Sequence, residues 1–201
     1  MPEDHHHHHD ADSVAFGVLT VSSSRTLDSD DSGNAIVAAI ENDGHAVAAR
    51  ELVSDDRSAI RRQVTTFVDR EDVEAVVTTG GTGITPDDVT VEAVRPLFDR
   101  ELPGFGEQFR ARSVEEVGPH GMITRATAGV VGSVPVFCLP GSQQAAQFGT
   151  EELLLPIVGH VVGLAGDGGH SHDHSDHEHS GHQHGHDDHS GHEHSHGHDH
   201  E

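Results

Sequence analysis

The stretch VAFGVLTVS, residues 14–22, is apolar almost without interruption. A strand with one wet face would alternate polar with apolar, so this one demands cover on both faces of its sheet. A helical period follows at 32–43, placing Ile36, Ala39 and Ile40 on one face. The pattern repeats as strand at 45–53, helix at 55–70 with Ile60, Val64, Phe67 and Val68 inward, strand at 73–81 and helix at 88–98. Residues 102–118 read as a helix with Pro103 in its first turn. Two strands, 121–131 and 134–139, join at a tight Gly132–Ser133 turn, and 143–166 closes the chain as a helix kinked at Pro156. Strand alternating with helix specifies an α/β fold, a mostly parallel sheet with helices on both sides. Such folds bind ligands beyond the carboxyl ends of their strands. Three loops leave a strand and enter a helix, at 22–33, 80–88 and 140–144, and these are expected to converge.

Nearly all the apolar residues lie in 13–165, which is expected to form one domain. Residues 1–12 are acidic and histidine-rich, and 166–201 contain only Gly, Ser, His, Asp, Glu and one Gln. Such segments bury too little to offset their ordering entropy and are expected to be disordered. The tail carries 14 of the 22 histidines, many alternating with Asp and Glu, a density suited to Ni²⁺, Zn²⁺ or Co²⁺. A solvated, salt-tolerant tail is the alternative. The histidines at 5–9 have acidic flanks like those of the tail and read as native sequence.

The formal charge is −24, from 35 acids against 11 bases, and every base is arginine. That balance argues against nucleic acid or an anionic membrane as partner. A lysine-free acidic surface resembles that of a halophile's protein. The single cysteine, Cys138, excludes an internal disulfide and suits a buried strand position. No apolar run approaches the ~20 residues that span a bilayer, and MPEDHHHHHD is no signal peptide. A cytoplasmic protein is expected.

TTGGTGITPDDVTVEAV, residues 78–94, is the segment that speaks to chemistry. It is not a P-loop, which needs a lysine, nor a dinucleotide fingerprint, for no third glycine follows Gly83. Glycines let backbone N–H groups approach a ligand closely, and a helix start favours an anion. Aspartates in the same place would repel that anion unless a cation stands between them.

TTGGTGITPDDVTVEA, LPGFGEQFR, ITRATAGV and FCLPGS, in this order and spacing, resemble the MoaB/Mog family of molybdenum cofactor biosynthesis. The resemblance covers residues 13 to about 165 and implies a three-layer α/β domain of molybdopterin-binding type. It implies transfer of AMP from ATP to the terminal phosphate of molybdopterin, giving adenylyl-molybdopterin and pyrophosphate, with the product passing to a molybdate-insertion protein. A member that holds molybdopterin without catalysis is the alternative, with the tail buffering divalent transition metal. The backbone of Gly80, Gly81, Thr82 and Gly83 would cradle phosphate. Asp88 and Asp55 match the family's functional aspartates and would hold Mg²⁺ between protein and phosphates. Each also opens a predicted helix and so could be a cap, and Asp55 and Asp56 compete for the match. Ser142 and Glu107 match positions near the family's substrate, and Arg25 is the candidate cation of the first loop. Asp87 stands where the family often has arginine, Val91 where proline is common, and Ser24 where an aspartate is usual. Members form trimers or hexamers, so a homo-oligomer is expected, with the strands after residue 121 as a candidate subunit edge.

Overall fold

The structure, a computed structural model, describes residues 10–166. Residues 1–9 of the first low-complexity segment, and the tail beyond Gly166, lie outside the described residues, and with them the disorder expected there. Residues 10–12 of that first segment are described and lie against the last helix instead, Ala11 donating its N–H to the Gly159 carbonyl at 3.2 Å and packing on the core.

The repeating pattern folds as β1 (Ala15–Val21), α1 (Asp31–Asn42), β2 (Ala46–Val53), α2 (Arg57–Val68) and β3 (Ala75–Thr79). Then come α3 (Thr90–Val94), β4 (Arg100–Glu101), α4 (Pro103–Val117), β5 (Thr127–Val131), β6 (Val134–Leu139), α5 (Gln143–Gly149) and α6 (Leu155–Gly166). The strands form one sheet in the order β2-β1-β3-β6-β5-β4. Its first four strands run parallel, β5 runs antiparallel to β6, and β4 pairs antiparallel with β5 at the edge.

The unbroken apolar runs have the expected cause: both sheet faces are covered. On β1, Phe16 and Val18 face a core shared with Ile36 and Ile40 of α1, Phe105 and Phe109 of α4, and Leu155 and Val158 of α6. Leu19 and Val21 face the opposite core, with Ile60, Val64 and Phe67 of α2 and Ala93 and Val94 of α3. Helix, sheet and helix make three layers. Cys138 is fully buried in the second core, where burial pushes its thiol up to about 11, leaving it a small apolar residue.

Several elements differ from the sequence reading. The helix expected at 88–98 is one α-turn ending in a 3₁₀ turn, Arg95–Leu97, because Pro96 lacks the N–H that would continue it. Gly118–Met122 is 3₁₀, so the first hairpin strand begins only at Thr127, and the two-residue β4 pairs with its outer edge. The hairpin is therefore not itself an edge of the sheet, whose two edges are β2, eight residues long and paired only with β1, and the two-residue β4. The break in the last helix is a π-helical turn, Thr150–Leu154, immediately before the helix that carries Pro156 at its second position. Taken as one stretch, Gln143–Gly166 is long and apolar enough to cross a bilayer, unlike any uninterrupted apolar run. Here Ala146, Leu154, Leu155 and Val158 of that stretch are buried in the first core.

Parallel register brings the functional loops together. Thr20 pairs with Thr79, and Thr79 with Leu139, so β1, β3 and β6 end level with one another. The three loops expected to converge leave from those ends.

Candidate functional site

The loops enclose a cleft of about 610 Å³ lined by Ser22–Arg25, Asp55, Gly80–Gly83, Asp88, Thr124 and Pro140–Ser142. Glycine is required at its floor. Gly80 has φ +102°, and a Cβ there would stand 2.3 Å from the Val21 carbonyl. Gly81 has φ +66°, and a Cβ would meet Thr90 Oγ1 at 2.3 Å. Both the left-handed backbone and the lack of space exclude a side chain.

The four carbonyls of the glycine loop all have protein donors. Buried Thr90 donates its hydroxyl to Gly80 (2.8 Å) and its N–H to Gly81 (3.1 Å). Arg125 donates its backbone N–H to Thr82 (2.8 Å) and its Nε to Gly83 (2.7 Å), while Nη2 reaches the Asp88 carbonyl (2.7 Å) and Nη1 pairs with Glu92. The N–H groups are less uniformly free than the sequence suggested. Gly80 donates to the Leu139 carbonyl at 3.1 Å, and the Gly83 N–H is directed at the Asp88 carboxylate. Among the described residues, Gly81 and Thr82 are the loop members whose N–H groups have no protein acceptor.

Asp88 does not cap α3, whose N-cap is Val89. Its carboxylate turns back instead, with Oδ2 accepting from Thr85 N (2.8 Å) and Thr85 Oγ1 (2.6 Å). Partial burial pushes its pKa up, but the two Thr85 bonds, the Gly83 N–H and the charge of Arg125 hold it below the usual value. Asp55 is no cap either. Asp56 caps α2, accepting from Ala59 N at 2.8 Å, whereas Asp55 accepts from Ser23 N at 2.7 Å and donates its own N–H to Ser23 Oγ at 3.1 Å. This exchange clasps the loops after β1 and β2 together and leaves the Asp55 carboxylate lining the cleft.

Arg25 is half-buried rather than a solvated surface arginine: it donates to Ser32 Oγ (2.9 Å) and to the Gly141 carbonyl (3.2 Å). Ser142 does cap α5, through Ala145 N at 3.4 Å, and also lines the cleft. Glu107 lies apart, in an adjoining cavity of about 940 Å³ that shares Ile123 and Thr124 with the cleft. Four of the eleven arginines, Arg57, Arg95, Arg110 and Arg125, line that second cavity. Asp87 and Ser24, the departures from the family pattern, are exposed.

No group of three or more metal-ligating side chains occurs among the described residues. Two carboxylates beside free backbone N–H groups do not make an all-protein metal cage. They do fit Mg²⁺, which keeps water, takes one or two carboxylates and fills its sphere with phosphate oxygens.

Residues 17–160 match the family described as a probable molybdopterin binding domain. The Bacillus subtilis protein called molybdenum cofactor biosynthesis protein B is 42% identical over 163 residues, 81% of this chain and 96% of that relative. The chain belongs to the MoaB/Mog family. A crystal structure of a molybdenum cofactor biosynthesis protein B superposes with TM-score 0.75 at 40% identity, covering 77% of this chain and 97% of the other. The tungsten cofactor synthesizing protein MoaB from Pyrococcus furiosus gives 0.69 at 38%, covering 76% and 97%. The stretches that carried the MoaB/Mog resemblance surround these two cavities: the glycine loop and FCLPGS meet at the first, LPGFGEQFR and ITRATAGV line the second. Arg125 and Thr90 are what the sequence reading passed over. Both stand inside quoted motifs, but nothing local announces a side chain that serves distant carbonyls.

Proposed function

We propose that the cleft transfers AMP from ATP to the terminal phosphate of molybdopterin, yielding adenylyl-molybdopterin and pyrophosphate for a downstream molybdate-insertion protein. The observation that carries this reading is that Asp55 and Asp88, both released from helix capping, share one cleft with the unpaired N–H groups of Gly81 and Thr82. Phosphate would lie on those N–H groups, and Asp55 and Asp88 would be the residues that hold Mg²⁺. Bound there, Mg²⁺ supplies the charge neutralisation that a leaving pyrophosphate needs. Arg125 and Thr90 hold the glycine loop open by occupying its carbonyls, so that positioning precedes binding. Two adjoining cavities suit a reaction between two large substrates, and the arginines of the second favour an anionic one in a chain of charge −24.

Pyrophosphate release is the test: ATP, Mg²⁺ and molybdopterin together should yield it, and omission of any one should not. Binding of molybdopterin with no release under any condition would establish the second reading, a non-catalytic carrier. That reading is favoured by the exposed Asp87 and Ser24, each of which departs from the family pattern. A cytoplasmic homo-oligomer, trimer or hexamer, belongs to the same proposal, with the open edge of β2 as a place where a further strand could add.

A further inference from the structure

Asp30 is held by more donors than capping a helix requires. It caps α1, Oδ1 accepting from Gly33 N at 2.9 Å. The residue is fully buried and takes three further donors: Thr20 Oγ1 at 2.6 Å and Arg50 Nη2 at 2.9 Å on Oδ2, and Ser32 Oγ at 3.2 Å on Oδ1. A carboxylate has about four acceptor sites, so every site is filled. Asparagine would cap as well. The charge and the extra donors answer to something else.

Ser32 connects them to the cleft. Its hydroxyl proton goes to Asp30, which leaves the oxygen's lone pairs for Arg25 Nη1 at 2.9 Å. Arg25 then places both terminal nitrogens 3.2 Å from the Gly141 carbonyl. Gly141 in turn presses on the glycine loop, where a Cβ on it would stand 3.1 Å from Gly80 Cα. An arginine on a free stem samples many rotamers, whereas one with two fixed acceptors is held in one. We propose that Asp30 is a positioning residue which, through Ser32 and Arg25, sets the Pro140–Ser142 loop against the glycine loop and so fixes the width of the phosphate-binding cleft. Its kinetic consequence rests on the adenylyl-transfer reading; its structural consequence does not.

Asp30→Asn would turn an amide N–H toward Arg50 and risks the fold, so Ser32→Ala in the full chain carries the test. It removes the bridging hydroxyl and leaves Asp30 with Thr20, Gly33 and Arg50. Hydrogen exchange is followed in peptides spanning 140–143. Exchange there should rise about tenfold in Ser32→Ala and in Arg25→Ala, the order expected for one charge-assisted hydrogen bond. The double variant should exchange no faster than Arg25→Ala alone, because one residue acts through the other. Asp56→Ala, which removes the cap of α2 and touches no member of the relay, should lower the melting temperature and leave exchange at 140–143 unchanged. Unchanged exchange in Ser32→Ala, additivity in the double variant, or equal loosening in Asp56→Ala each overturns the relay. In steady-state assays Ser32→Ala should raise KM for molybdopterin about tenfold, with kcat changed far less. A wild-type protein that releases no pyrophosphate removes the adenylyl-transfer reading, and the exchange results then decide the relay by themselves.

Discussion

Asp55 and Asp56 are adjacent carboxylates with opposite duties. Asp56 is tied to the start of α2, while Asp55 faces the cleft through its exchange with Ser23. Asp56→Ala should therefore cost about 1 kcal/mol of stability, the usual worth of an N-cap, with pyrophosphate release unchanged. Asp55→Asn and Asp88→Asn should do the reverse, melting within a few degrees of wild type while turnover falls by orders of magnitude. A folded, fully active Asp88→Asn variant would falsify the site. Acid titration gives a further check. Asp30 is raised by burial but lowered further by its bonds to Thr20, Gly33, Arg50 and Ser32, so its folded pKa, like that of Asp88, lies below the usual value. A depressed carboxylate contributes stability that is present above its unfolded pKa and lost as pH falls through the folded one. The melting temperature should thus hold to about pH 4 and fall below it, and a drop beginning well above pH 5 would contradict the bonding described for both residues. Sequence narrowed the choice to Asp55 or Asp56 and no further, since both suit a cap and only Ser23, 32 residues away, separates them. Arg125 escaped for the same reason: the carbonyls it holds belong to residues 82, 83 and 88.

Periodicity made the main strands and helices legible, because each buries a face that must recur at 2 or 3.6 residues. Where pairing rather than burial defines an element, the signal vanished: β4 is two exposed residues recognisable only by their partners on β5. Close approach between elements was equally silent, and α4 shows how it can be measured. Gly106 is buried, and a Cβ on it would meet the Ala126 carbonyl at 2.3 Å, whereas a Cβ on Gly104, two residues earlier, would meet nothing within 4 Å. A backbone carbonyl cannot rotate away. Gly106→Ala should therefore destabilise by about 1–3 kcal/mol as α4 is pushed off the start of β5, despite alanine's better helix propensity. Gly104→Ala should be neutral or stabilising by up to ~1 kcal/mol. Paired chemical denaturation separates them, and the same sign for both would mean that α4 tolerates displacement. The displaced helix also carries Glu107 and Arg110 in the wall of the second cavity, so Gly106→Ala should weaken substrate binding as well.

At the scale of the whole molecule, charge dominates, and it is unevenly spread. The tail carries nine of the acids and 14 of the histidines, beyond the described residues. Deleting 1–9 and 167–201 should abolish most Ni²⁺ uptake in calorimetric titration and leave pyrophosphate release intact, because residues 10–166 by themselves supply the described cleft and both cores; undiminished uptake would end the metal-buffer proposal. The remaining domain still holds more than twice as many acids as arginines. Some of those arginines are engaged locally, Arg50 with Asp30, Arg70 with Asp72 and Arg112 with Glu152, which leaves the excess acids to repel one another across the surface. Screening shortens that repulsion from about 10 Å at 0.1 M salt to about 3 Å at 1 M. The same salt weakens the exposed ion pairs, but each is worth only ~0–1 kcal/mol, and the excess charge outnumbers them. Molar KCl should therefore raise the melting temperature of both the full chain and the truncated domain relative to dilute buffer. KCl is the salt to use, because sulfate would also stabilise through surface exclusion. An equal or higher melting temperature in dilute buffer for the truncated domain would mean that its surface charges are already balanced by local pairing, and that the acidic, lysine-free composition is no adaptation to salt.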